Sequence, residues 1–81
     1  MRLHPSPHFL RSYRKAPVEI RRAFDKQVLL LLQNLSHPSL RAKKYDESRD
    51  LWQARVTRDW RFYFSIEGDG FYLHEIRAHP K

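Results

Sequence analysis

The spacing of apolar residues divides the chain at Leu40 into a helical half and a β half. Before Leu40 the strongest pattern repeats every three or four residues, which is typical of a helix with one buried face. This helix is predicted to start at Pro17 and to stop at His37-Pro38. Its apolar positions are Ile20, Ala23, Phe24, Val28, Leu31 and Leu35. Three further leucines, at positions 29, 30 and 32, widen the apolar arc. We expect them to pack inside the protein, with a partner surface as the alternative.

A shorter helix is predicted before it, over residues 8–15. Ser6 has the side chain of a good N-cap, and Pro7 falls at the first helical position, where its missing N–H is not needed. Ala16-Pro17 should end this helix, because the residue before proline disfavours the α conformation. Residues 1–5 are expected to form a short strand.

After Leu40 the period changes to two, which indicates half-buried strands. One strand contains Trp52, Ala54 and Val56 at alternate positions, and the next contains Trp60, Phe62, Phe64 and Ile66. Arg58-Asp59 and Gly68-Asp69-Gly70 are predicted turns, and residues 71–78 complete a three-stranded meander. The segment around residues 46–50 is expected to be a loop. The sequence therefore predicts a single α+β domain over residues 1–81. Two N-terminal helices would pack on one face of a small antiparallel sheet, with a short N-terminal strand added to the meander.

Strand alternation also predicts which charged residues share the other face of the sheet. Arg55 and Arg61 fall out of phase with the apolar residues and should point away from the helices. If Tyr72, His74 and Ile76 face the helices, Arg77 and His79 join the two arginines. Lys43 and Lys44 lie just ahead of this surface and are expected at its rim. His74 is then expected to face the core.

The charge of the chain favours a polyanionic partner. Lys and Arg number 16 against 9 Asp and Glu, a formal charge of +7, and most of the excess is arginine, whose planar group suits phosphate. There is no cysteine, which excludes a disulfide framework, a cysteine-ligated zinc site and a thiol nucleophile. The longest apolar run, residues 28–32, is too short to span a bilayer. We expect a cytoplasmic protein that does not contact membranes.

Few catalytic sites remain compatible with these residues. Asp46, Glu47 and Asp50 sit among basic residues in the predicted loop, which argues against a carboxylate pair. His4 and His8 are separated by Pro5 and Pro7, so they should not share a helix face as metal ligands. We expect no metal and no cofactor. RNA cleavage by the substrate's own 2′-hydroxyl needs only fixed cations and a group that titrates near neutral pH. The candidates for these roles are Arg55, Arg61, Arg77 and His79.

Residues 51–64, LWQARVTRDWRFYF, resemble the central strands of the RelE/ParE toxin superfamily. In that superfamily a run of the type W-x-x-R-V-x-x-D-[WY]-R-[FV]-x-[YF] is typical. Residues 76–81, IRAHPK, resemble its last strand, which often finishes on a histidine in a short basic tail. The order of elements matches as well. The resemblance implies the toxin of a type II toxin–antitoxin pair, with members such as RelE, YoeB and HigB cutting mRNA on the ribosome.

The resemblance also implies roles for individual residues. Arg61 matches the strand arginine that contacts the scissile phosphate, and His79 matches a terminal histidine used for proton transfer. Lys43 and Lys44 fall where RelE-like members carry functional lysines. Arg55 and Arg77 would contact phosphate or ribosomal RNA. The sequence departs from the family pattern at two positions. The C-terminal tyrosine of many active members is missing; Tyr63 is predicted to lie on the same face but does not occupy the equivalent position. The glutamate base of YoeB-like members has no clear counterpart, and Glu47 is a candidate only because it lies nearby in the sequence.

Two alternative functions follow from the same resemblance and charge. One is a ParE-like inhibitor that binds DNA gyrase without enzymatic activity, and the other is a basic module that binds RNA or ribosomes without cleavage. Arg61 and His79 favour the nuclease, because ParE-like proteins generally lack that set. The expected partners are a cognate antitoxin, the ribosome and mRNA. The chain is expected to be a monomer or to assemble through the antitoxin.

Overall fold

The computed structural model describes residues 1–79 and has two helices on one face of a five-stranded sheet. The α+β class and the placement of the helices are as predicted. No helix in the described chain is long and apolar enough to cross a membrane. The strands lie in the order β1-β5-β4-β3-β2. The elements are β1 (Arg2–Pro5), α1 (Pro7–Lys15), α2 (Val18–Gln33), a 3₁₀ turn (Pro38–Leu40), β2 (Lys43–Asp46), β3 (Leu51–Thr57), β4 (Trp60–Glu67) and β5 (Gly70–Ala78).

Helix α1 begins and ends where the sequence predicts. The hydroxyl of Ser6 accepts a hydrogen bond of 3.0 Å from the backbone N–H of Phe9, and Pro7 occupies the first turn. The helix ends at Lys15, just before Ala16-Pro17. It is joined to β5 by a side chain as well as by apolar packing, because the hydroxyl of Ser12 accepts a hydrogen bond from the backbone N–H of Ile76. The second half of α1 is thereby fixed beside the second half of β5.

Helix α2 supplies most of the helical part of the core. Ile20, Phe24, Val28 and Leu31 are buried, and most of the apolar surplus packs at the margin of the core. Leu29 is the exception, with 59% of its surface exposed. The helix ends at Gln33, earlier than the predicted stop at His37-Pro38. The side chain of Asn34 accepts a hydrogen bond from the backbone N–H of Ser36, a local turn that competes with the helix.

The alternation predicted for β3 and β4 is present in the structure. The apolar side chains of the two strands face the helices, and Phe62 and Phe64 are completely buried. The ring of Phe24 in α2 meets the ring of Phe62 edge-on, with 5.1 Å between their centres. Because β3 and β4 have one apolar face against the helices, their other face is left for polar and charged residues.

The sheet has one more strand than predicted and is mixed rather than wholly antiparallel. Lys43 and Lys44 lie on the additional strand, β2, which pairs antiparallel with β3. A four-residue edge strand of polar residues lacks the apolar alternation by which strands are found in a sequence. At the other edge, β1 pairs with β5 in parallel. The N-terminal strand therefore completes the sheet beside its last strand.

The phase predicted for β5 is wrong over its first half. Phe71 and Leu73 are buried in the core with Ile76, whereas Tyr72 and His74 are not. The cause is a register shift: Tyr63 pairs with Glu75 and the next residue pairs with Leu73, so His74 is an extra residue in β5. Such a bulge reverses the face of every later side chain. His74 is half-buried away from the core, with its Nε2 2.8 Å from the hydroxyl of Ser65.

Candidate functional site

Three arginines form a row across the open face of the sheet, the face away from the helices. Arg55 of β3 pairs with Arg61 of β4, and Arg61 pairs in turn with Arg77 of β5. Paired positions on adjacent strands hold their side chains on the same face, about 5 Å apart at Cβ. Like charges at such positions repel one another. A bound anion would relieve this repulsion.

Arg61, in the middle of the row, is fixed by the turn between β3 and β4. Its guanidinium Nη1 lies within hydrogen-bonding distance of three carbonyl oxygens, at 2.6 Å from Thr57, 3.1 Å from Arg58 and 2.9 Å from Trp60. Burial lowers the pKa of Arg61, and the positive charge of Arg55 lowers it further. A cation that is destabilised by its neighbours gains more from an anionic ligand than an exposed arginine does. The guanidinium of Arg61 is thus held in a fixed position, and its positive charge is destabilised by burial and by Arg55.

Arg77 forms one wall of a groove of about 740 Å³ beside this row. Its guanidinium carbon lies 4.5 Å from the centre of the Tyr63 ring, its Nη2 donates to the hydroxyl of Tyr45 at 3.3 Å, and its Nη1 lies 3.3 Å from Glu75. Contact with the Tyr63 side chain raises the pKa of Arg77, so the group stays charged. The residues lining the groove are Ser6, His8, Tyr45, Arg49, Leu51, Tyr63, His74, Glu75 and Arg77.

Two tyrosines form the floor of this groove. Tyr63 is buried, and its hydroxyl accepts a hydrogen bond of 3.1 Å from Nε2 of Gln53. Tyr45 packs edge-on against it with 5.1 Å between ring centres, and half of its surface is exposed. An exposed tyrosine ring next to fixed arginines can stack on an unpaired base. The arrangement is therefore suited to single-stranded nucleic acid.

A histidine and a glutamate on the groove wall were not among the predicted site residues. His8 lies in the first turn of α1, and its Nε2 is 3.1 Å from Oε2 of Glu75. Glu75 could have been found from the sequence, because it alternates with Arg77 and His79 and so belongs to the same predicted face of the last strand. His8 has no such signal, because its approach to β5 depends on the pairing of two distant segments. No three His, Asp or Glu side chains among the described residues form a metal-binding group.

The structure brings together some predicted residues and separates others. Arg55, Arg61, Arg77 and Tyr63 share the open face. Lys43 lies opposite Gln53 at the exposed outer edge of the same face. Lys44 does not join them: its ammonium group lies over the ring of Trp52, 5.3 Å from the ring centre, and forms an ion pair with Asp50. Glu47, exposed in the turn after β2, does not line the groove.

His79 lies just past the end of β5. It is exposed, and its backbone N–H donates to the carbonyl of Asp59 at 2.6 Å, which extends the pairing with the chain before β4. Because this bond continues the strand pairing by one residue, alternation from Arg77 predicts that His79 faces the open side of the sheet, beyond the arginine row. The last part of the tail that resembles the toxin family, Pro80-Lys81, lies outside the described residues.

Comparison with known proteins identifies the fold. No family model and no curated protein matches the sequence. Solved structures do match over nearly the whole chain. A YoeB/ParE toxin from Agrobacterium tumefaciens has a TM-score of 0.81 at 13% identity, covering 99% of this chain and 100% of that chain. YafQ from E. coli strain BL21(DE3) has a TM-score of 0.79 at 17% identity, and the match covers 96% of this chain and 93% of that chain. The archaeal RelE–RelB complex from Pyrococcus horikoshii OT3 has a TM-score of 0.79 at 15% identity, and the match covers 99% of this chain and 96% of that chain. The chain has the fold of these toxins.

Proposed function

We propose that this protein is the toxin of a type II toxin–antitoxin pair and that it cleaves mRNA on the ribosome. The observation that carries the proposal is the row formed by Arg55, Arg61 and Arg77 beside a tyrosine-floored groove, on the open face of the sheet. The fold shared with the YoeB/ParE toxin, YafQ and RelE supports it. A fixed cationic surface with an aromatic floor suits a single RNA strand better than a small neutral substrate.

The chemistry proposed for this surface is attack by the substrate's own 2′-hydroxyl on the adjacent phosphate. Arg61 and Arg77 would bind the phosphate and stabilise the charge that grows on its oxygens. Guanidinium groups do this without exchanging a proton. His79 would transfer a proton, since imidazole titrates near neutral pH. Arg55 and Lys43 would hold neighbouring phosphates, and Tyr63 would support Arg77 from below. The reaction needs no metal and no cofactor.

The proposed partners follow from the same surface. The RelE structure that this chain resembles is a complex with RelB. We expect a cognate antitoxin to cover the arginine row and so to keep RNA away from it. The formal charge of +7 would also draw the free toxin to ribosomal RNA in the cytoplasm. In this scheme the protein acts as a monomer or assembles through its antitoxin.

Mapping of mRNA ends tests this function. After induction of the protein, primer extension on several abundant messages should reveal new 5′ ends at codon positions within translated regions. The ends should disappear in Arg61→Ala and His79→Ala variants. They should persist in Arg22→Ala, a matched control that removes an exposed arginine of α2. Growth arrest with intact mRNA and blocked supercoiling would overturn the proposal in favour of gyrase inhibition. Intact mRNA on stalled ribosomes would favour a binding module that does not cleave.

A further inference from the structure

We infer that His8, oriented by Glu75, is the general base of the cleavage reaction and acts from the side of Arg77 opposite to His79. The inference rests on the proposed function and adds a residue that neither the sequence pattern nor the resemblance assigns. It starts from three groups on the groove wall. Glu75 contacts His8 through Oε2 at 3.1 Å and Arg77 through Oε1 at 3.3 Å, so one carboxylate orients both neighbours.

The hydrogen bond to Glu75 prepares His8 to accept a proton. A carboxylate is an acceptor, so the imidazole donates its Nε2–H to Glu75. In the neutral ring Nδ1 then carries the free lone pair. About 61% of the His8 side chain is exposed, and His8 lines the groove. Glu75 is the positioning residue: it selects the tautomer and stabilises the imidazolium that forms. His74 is less suited to this task because its ring partner is the neutral hydroxyl of Ser65, which stabilises an imidazolium less than a carboxylate does.

The order of groups along β5 puts one histidine on each side of Arg77, which is the order that an in-line displacement requires. Glu75, with His8 bound to it, and Arg77 share one face of β5, and alternation predicts His79 on the same face beyond them. Alternate residues of a strand are about 6.6 Å apart, so the two histidines flank Arg77 from either end. In-line attack requires the base and the acid on opposite sides of the phosphorus, with the phosphate held between them. A phosphate on Arg77 would be held in this way.

The reaction balances with these two histidines alone. Nδ1 of His8 takes the proton of the 2′-hydroxyl, and the 2′ oxygen forms a bond to phosphorus. The bond between phosphorus and the 5′ oxygen breaks, its electron pair leaves with that oxygen, and protonated His79 supplies the proton. The products are a 2′,3′-cyclic phosphate and a 5′-hydroxyl. His8 returns its proton to water and His79 takes one up, which restores the enzyme.

Other charged and titratable groups surround the two histidines. Around His8 they are Glu75 and Arg77 from β5, Tyr63 from β4, Tyr45 and Arg49 from β2 and its following turn, His74, and Arg11 on its own helix. Around His79 they are Arg58 and Asp59 of the turn, with Arg61 and Arg77 on the sheet. Variants of His8 and His79 leave these groups in place, so a change in the pH profile reports on the altered histidine.

The test is single-turnover cleavage of mRNA on purified ribosomes across the pH range of about 5.5–9, with the full-length protein. The wild type should give a bell-shaped profile. His8→Gln should lower the rate about 10²-fold or more and remove the rise on the acidic side, while His79→Gln should remove the fall on the alkaline side. Glu75→Gln should show a smaller loss that Glu75→Asp partly restores. His4→Gln, which alters an exposed histidine outside the groove, should retain the wild-type rate and profile.

Binding must be separated from catalysis in the same variants. Affinity for ribosomes programmed with a non-cleavable mRNA, carrying a 2′-deoxy nucleotide at the cut site, should stay within a few-fold of wild type in His8→Gln. A wild-type rate and an intact acidic limb in His8→Gln would overturn the inference and leave the proposed function standing. Absence of cleavage by the wild type itself would overturn the proposed function and the inference with it.

Discussion

The hydroxyl of Tyr63 accepts a buried hydrogen bond from Nε2 of Gln53, and the ring above that bond supports the guanidinium of Arg77. One tyrosine thus connects the packing between β3 and β4 to the charged groove. Its hydroxyl is bonded to Gln53 and also raises the pKa of Arg77, and its ring face is turned to the Arg77 guanidinium. The two parts of the side chain therefore have separable roles, and substitutions can address each of them.

Tyr63→Phe should destabilise the protein while sparing the groove. The variant leaves the buried amide of Gln53 without its acceptor, which costs about 1–3 kcal/mol in the free energy of unfolding. The ring remains beneath Arg77, and the guanidinium stays charged without the Tyr63 hydroxyl, so RNA affinity at a temperature where the variant is folded should stay within a few-fold of wild type. Urea denaturation and filter binding measure the two quantities. Adding Gln53→Leu should recover most of the stability; failure to do so would mean that the bond is not the source of the loss.

Arg61 is expected to have a structural role in addition to its proposed catalytic one. Arg61→Ala removes a charged donor from three carbonyls of the turn and should cost about 1.5–3 kcal/mol of stability. Arg61→Lys keeps a charged nitrogen near those carbonyls but loses the planar fork that suits phosphate. Its cleavage rate should therefore fall much more than its stability. Thermal melts alongside cleavage assays check this, and parallel losses in both variants would argue against a direct role in catalysis.

Arg55→Gln should stabilise the protein and weaken RNA binding. Arg55 lies opposite Arg61 and lowers its pKa, so its removal relieves a repulsion worth about 0.2–1 kcal/mol. The gain should shrink in high salt, which screens the repulsion. Loss of one phosphate contact should reduce the slope of log affinity against log salt by about 0.7 for a single strand. Arg22→Ala serves as the charge-matched control. An unchanged salt slope would remove Arg55 from the RNA-binding surface.

Gln27 should matter for stability and not for catalysis. It is buried in α2, and its Nε2 donates to the carbonyls of Ser39 at 3.1 Å and Arg55 at 2.9 Å. Gln27→Leu has a similar volume but leaves both carbonyls without this donor, which should cost about 2 kcal/mol or more. Lys26→Ala, at the exposed neighbouring position, should have little effect. Denaturation curves measure the loss, and the cleavage rate of the folded fraction should be unchanged.

The sequence is informative where burial imposes a period. The helices and the alternation of β3 and β4 follow from apolar residues that must face one core. The arginine pair formed by Arg55 and Arg61 follows from the same alternation. Hydrophobic periodicity alone is therefore enough to predict these parts of the fold and of the site.

The sequence does not predict geometry that depends on pairing between segments far apart in the chain. The bulge at His74 shifts the phase of β5, and nothing in the local pattern marks it. Edge strand β2 has no apolar alternation. The contact between His8 and Glu75 requires α1 to lie beside β5, which depends on the parallel pairing of β1 with β5. The periodicity of a single segment does not predict that two segments distant in sequence, such as α1 and β5, lie side by side.

The parallel pairing of β1 with β5 has a consequence for how the molecule reaches its active form. Hairpins such as β3–β4 join neighbouring segments and can close early, whereas β1 and β5 belong to opposite ends of the chain, and contacts of such long sequence separation are slow to form. Folding would therefore bring His8 to Glu75 in a late step. Until then the arginine row can attract RNA electrostatically, but the proposed base is absent. Under the proposed function, an incompletely folded chain would bind RNA before it could cut it.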